Sequence, residues 1–145
     1  METLHHVKPT LLFTASGILL SMVMESLGGC DNLIKTLIIL MIIDFATGFL
    51  VAAVFKQSKK TDSGRLASGA GLHGIIKKGC VLLVIFIAVL LDSLLQTNGL
   101  TRDAAVIAFI INELVSILEN MGLMGIRLPA ALTNALELLG KELPK

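Results

Sequence analysis

The sequence predicts an all-α integral membrane protein: one membrane domain over residues 1–145 with about four transmembrane helices, three being the smaller alternative, and a short C-terminal amphipathic helix. Three observations predict it. Of the 145 residues 54% are hydrophobic and 16% charged, against about 25% charged in soluble domains, and the mean hydropathy is +0.86. The apolar residues fall in runs close to the roughly 20 that cross a bilayer core of about 30 Å. Polar residues inside those runs recur at helical spacing, so neighbouring helices or other copies are expected to cover them. The net charge of +1, from 12 basic and 11 acidic residues, offers no electrostatic case for a nucleic-acid partner.

The first span is expected over 10–29, "TLLFTASGILLSMVMESLGG", with Pro9 at the helix start and Gly28-Gly29 at its end. No small-residue cleavage site precedes a polar mature domain, so this reads as a retained helix. The second span, 33–55, follows after only "CDN". A link that short requires an antiparallel hairpin.

Residues 56–78 are polar, rich in Gly and Ser, and carry Lys56, Lys59, Lys60, Arg65, Lys77 and Lys78 against the single acid Asp62. They read as the one substantial loop, turned tightly at its glycines and able to attract anionic lipid head groups or simply to set topology. A third span over 79–98 and a fourth over 104–126 follow, joined by the turn "LTRD". The tail repeats Leu128, Leu132, Leu136 and Leu139 after Pro129, the spacing of an amphipathic helix over 128–140 lying at the membrane surface or against another subunit.

Orientation follows from Lys and Arg, which are retained on the cytoplasmic side. Lys8, the six basic residues of 56–78, Arg127, Lys141 and Lys145 fall on one side of a four-span chain, leaving Lys35 and Arg102 on the other. Both termini and the basic loop are therefore expected in the cytoplasm. Cys30 and Cys80 then lie about a bilayer thickness apart, too far for a disulfide with each other.

Candidate functional residues are the polar ones inside the spans. Asp44 stands near the middle of the second, where an ionised side chain costs about 2.5–3.5 kcal/mol on insertion scales. It shares a helical face with Thr47, Gly48, Val51 and Ala52, and small residues spaced by four let helices approach closely. A hydrogen-bonded acid in a static helix pair and a role in assembly or a water-lined pore both fit. Asp92 sits toward the end of the third span, where exposure at the membrane face is an equal reading. In the fourth, Asn112, Glu113, Ser116, Glu119 and Asn120 form a polar stripe that needs a neighbouring helix or water.

His5, His6 and His73 lack spaced Cys or acidic companions, so no metal site is expected. No glycine pattern matches a phosphate loop and no nucleophile with a base is evident. The expectation is a non-enzymatic chain without cofactor.

The succession "MIIDFATGFLVAAV", "SKKTDSGRLASGAGLHGIIKKGCVLLVIFIAVLLD", "INELVSILENMGLMGIRLPAAL" resembles the toxin-secretion/phage-lysis holin family of Gram-positive bacteria and their phages. "NELVSILEN" followed by "GIRLP" is its most specific part. The resemblance implies a protein that oligomerises in the bacterial cytoplasmic membrane and opens lesions through which endolysin, a functional partner needing no direct contact, or a toxin leaves the cell. It also implies that Asp44, Gly48, Lys77, Lys78, Glu113, Ser116, Glu119 and Asn120 occupy characteristic positions, as assembly or pore residues. A small ion or proton channel or transporter and a non-conducting membrane scaffold remain alternatives on the residues alone.

Overall fold

A computed structural model describes residues 3–58, 63, 67–132, 134, 135 and 138. Its order is α1 (Thr3–Ser26), α2 (Asn32–Leu50, continued by a π-helical turn Val51–Phe55), α3 (Ser68–Leu95) and α4 (Leu100–Leu123). Among the described residues, three helices are long and apolar enough to cross a membrane: Asn32–Phe55, Ser68–Leu95 and Leu100–Leu123. The expected first span appears as the shorter apolar stretch Phe13–Ser26 of α1.

Spacing explains which faces meet. Ile34, Leu37, Met41 and Asp44 are the buried residues of α2; Ile85, Ala88 and Asp92 those of α3; Arg102, Val106, Glu113, Ile117 and Asn120 those of α4. Steps of three, four and seven residues place each set on one stripe, the pattern of helices packed at shallow angles. The apolar members Leu37, Met41, Ile85 and Val106 form one core with Leu27 and Ile34, against which Val81 and Phe109 pack. The polar members lie beyond its two ends. Among the described side chains of α1 and its following turn, Met24 and Leu27 join this core, while Phe13, Leu19 and Met22 are exposed.

Three expectations are corrected. Residues 68–78 are not loop but the first turns of α3, and Gly69, Gly71, Gly74 and Gly79 are not among the glycines with positive φ. Each glycine weakens a helix by about 1 kcal/mol relative to Ala, yet a helix satisfies its own backbone groups where water is scarce. Likewise "LTRD" is the first turn of α4, and α1 begins at Thr3, before Pro9. The α1–α2 turn is glycine-dependent as expected. Gly28 and Gly29 have φ of +85° and +99°, and a Cβ on Gly28 would stand 3.0 Å from Arg102 Nε.

In the tail, residues 130–132, 134, 135 and 138 are helical, and Leu132 and Leu138 are exposed. Leu128 and Pro129, expected to open this helix, precede it without helical structure, and residues 133, 136, 137, 139 and 140 lie outside the described residues, as do Lys59, Lys60 and Arg65. Cys30 and Cys80 are exposed, free thiols.

Candidate functional site

Asp44, Lys78 and Glu113 come from three different helices and meet in one cluster. Lys78 Nζ donates to Asp44 Oδ2 at 3.0 Å and to Glu113 Oε2 at 2.5 Å. The other Asp44 oxygen accepts from Ser116 Oγ at 2.5 Å and from Asn120 Nδ2 at 3.1 Å. Asn120 Nδ2 also reaches Thr47 Oγ1 at 3.1 Å, and Thr47 donates to the Asp44 carbonyl at 3.0 Å.

Burial gives this geometry its weight. Asp44 and Glu113 are 7% and 5% exposed, and charges taken out of water are tolerable only when paired and hydrogen-bonded. Every buried side-chain nitrogen and oxygen among the described residues has a partner. Lys78 belongs to the element expected as loop; once helical, it lies seven residues before Ile85, on the inner stripe of α3. Its long stem lets the ammonium reach inward to both acids.

The stripe of α4 is divided by the fold. Glu113, Ser116 and Asn120 point into the cluster, whereas Asn112 and Glu119 are exposed. At about 100° per residue Asn112 and Glu119 lie close together and at the edge of the inward arc.

Gly48 and Ala52 line a crevice of about 570 Å³ between α2 and the start of α3. Phe45, Phe49, Gly71, Gly74, His73 and Lys77 share that lining, and Asp44, Lys78, Glu113, Asn112 and Ser116 also border it. Small residues on its facing walls leave this space unfilled. Lys56 follows the π-helical turn in the left-handed region, φ 54°, and is exposed.

Asp92 is neither at an exposed face nor near the first cluster. At 7% exposure its carboxylate accepts from the Thr101 and Arg102 backbone N–H groups at 2.8 and 2.7 Å and from the Thr97 hydroxyl. It caps the N-terminus of α4 from the preceding helix, doing what the N-cap Gly99 has no side chain to do.

Beside it lies a second charged cluster that sequence reasoning missed. Arg102, 6% exposed, donates from Nε to the Leu27 carbonyl at 3.0 Å and from Nη1 to Asp103 at 2.8 Å and to Asp31. Asp31 caps α2 through Ile34 N at 2.9 Å. One guanidinium thus ties the α1–α2 turn to the start of α4. Its hydrogen bond holds the Asp31 carboxyl below the usual carboxylate range, against a smaller opposing effect of burial. The available signal was a lone Arg at the head of a span with an acid in the neighbouring turn.

No group of three or more metal-binding side chains occurs among the described residues. The arrangement holds helices together: Lys78 joins α2, α3 and α4, and Arg102 joins the α1–α2 turn to α4.

The bacteriophage holin family matches residues 21–141. A probable holin of Bacillus phage phi105 is 32% identical over 106 residues, covering 73% of each chain. An uncharacterized protein of Clostridium perfringens is 38% identical over 117 residues, 79% of this chain and 80% of its own length. Another, of Halalkalibacterium halodurans, is 34% identical over 134 residues, 89% and 93% of the two chains. No solved structure matches. With a family match across most of the sequence and membrane-length helices arranged around buried charge, the chain belongs to the bacteriophage holin family.

Proposed function

We propose that this protein is a holin that accumulates in the bacterial cytoplasmic membrane, assembles with copies of itself, and opens lesions that release endolysin or a toxin. The observation that carries the reading is the Lys78 bridge between Asp44 and Glu113, because it gives a family member a closed state with charge inside. While the bridge holds, the polar faces of α2 and α4 are turned inward and the bundle shows lipid an apolar surface, with Ile42, Leu83 and Ile107 exposed. If the helices part, the same faces can line water shared by many copies. Endolysin then needs only the opening, not a binding site.

Two carboxylates share one ammonium, so the cluster carries a net negative charge when all three are ionised. A charge that moves through the membrane potential changes energy by about 2.3 kcal/mol per 100 mV. Loss of potential therefore shifts the balance between closed and open bundles. Both termini and the basic segment are assigned to the cytoplasm from the basic residues. At 24 residues, or about 36 Å, α1 is long enough to cross as well. No catalytic role is assigned.

The test is induced expression in bacteria with and without a cytoplasmic muralytic enzyme. The reading expects abrupt collapse of membrane potential in both cases and lysis only with the enzyme. Ion-selective conductance without passage of a folded protein would replace it by a channel. A tight membrane at high expression would leave a scaffold.

A further inference from the structure

The crevice between α2 and α3 has polar groups that the charged cluster does not use. Lys78 is engaged by two acids, but Lys77 and His73 are exposed and their side chains form no hydrogen bond or ion pair with a described residue, and the same is true of the Asn112 side chain. All three line the crevice. Its volume of about 570 Å³ is within the roughly 300–1,000 Å³ of small-molecule sites.

Depth identifies what such a site meets. α3 ends at Leu95; at about 1.5 Å per residue Lys77 stands about 27 Å from that end and His73 about 33 Å. These positions bracket the roughly 30 Å thickness of a hydrocarbon core, so the Lys77 ammonium and the His73 imidazole stand at head-group level. Phe45 and Phe49, 38% and 48% exposed, flank the opening on α2 as an apolar surface. The upper wall is the first turn of α3, which has no acidic residue and no capping side chain, so its dipole acts in the same direction as the Lys77 charge.

We infer that this crevice binds the head group of an anionic phospholipid, with its phosphate at Lys77 and His73 and its acyl chains leaving across Phe45 and Phe49. Basic pockets between membrane helices recognise lipids in this way. Here the acids at the floor direct the phosphate to the rim. A seated lipid also covers the Asp44–Lys78–Glu113 cluster from the flank. Binding itself is measured on purified protein and does not depend on the lysis reading.

The experiment follows thermal unfolding of the full chain in neutral detergent, titrated with phosphatidylglycerol, phosphatidylcholine or inorganic phosphate. Phosphatidylglycerol is expected to raise the unfolding midpoint and the other two are not. H73Q/K77Q removes the Lys77 charge and the His73 imidazole, and G74L fills the crevice; a Cβ at Gly74 meets nothing within 4 Å. Each should weaken apparent phosphatidylglycerol affinity roughly tenfold or more, whereas K59Q/K60Q/R65Q keeps most of it. One variant removes charge and the other space, so the test stands if either fails to fold. Equal response to phosphatidylcholine, reproduction by phosphate alone, native-like affinity of both crevice variants, or loss confined to K59Q/K60Q/R65Q would overturn the assignment.

Discussion

Lys78 Nζ lies 2.5 Å from Glu113 Oε2 on a neighbouring helix, and the same nitrogen is 3.0 Å from Asp44 Oδ2 on a third. One ammonium is therefore shared by both carboxylates and joins α2, α3 and α4 at a single point. Removing it leaves two buried carboxylates facing each other, and breaking a buried pair from one side costs about 3–5 kcal/mol. K78M is expected to lose stability of that order in detergent and to advance the onset of lysis. E113Q should be much milder, because a one-to-one Asp44–Lys78 pair survives. D44N falls between them, since Asp44 also accepts from Ser116 and Asn120. Thermal midpoints and lysis times of the three variants check this order.

Asp92 is expected to matter as a cap and not as a pore group. D92A removes acceptors for two backbone N–H groups and the Thr97 hydroxyl. It should cost about 1–2 kcal/mol, in the range of lost helix caps and buried hydrogen bonds. D92N keeps one carbonyl oxygen and should recover part of the loss, read as faster amide exchange confined to the first turn of α4.

Arg102 predicts a pH dependence. The Asp31 carboxyl is depressed in the folded protein by its Arg102 hydrogen bond, so folding favours the ionised form. This stabilisation is fully present above the unfolded carboxylate value, about 3.9, and is lost as pH falls through the lower folded one. R102M should flatten that acid limb in a pH series of thermal midpoints. R102K should not restore it fully, because an ammonium cannot reproduce the fork that contacts Asp31, Asp103 and Leu27.

Asn112 and Glu119 give a contrasting expectation. Both are exposed, so N112A and E119Q should change stability of the isolated chain by no more than about 0.5 kcal/mol. An effect on oligomer size without one on the thermal midpoint would mark this edge of α4 as a contact between copies. Light scattering in detergent alongside unfolding separates the two.

How much was legible depended on whether a signal was local. The helical class and the buried acid of α2 could be read because an acid in an apolar run and a period near 3.6 are contained within one segment. Glu113, Ser116 and Asn120 were legible as a stripe, but its edge was not: 40° of arc separates an inward Ser116 from an outward Asn112, and only the packed neighbours decide that. The resemblance marked Lys78, but its place on a helix was hidden by composition, since glycines and lysines together read as loop. The Arg102–Asp31 pair was hidden by distance along the chain, because no local pattern joins an α4 residue to the α1–α2 turn.

The most direct test of the central claim is thiol accessibility at Ser116 in intact cells. S116C, with Cys30 and Cys80 replaced by alanine, is probed with a membrane-impermeant maleimide added outside, before and after the potential is collapsed. Protection before and rapid modification after are predicted, because the polar face of α4 is closed around Lys78 until triggering brings it to water. Modification at the same rate before triggering, or protection that persists through lysis, would contradict the account.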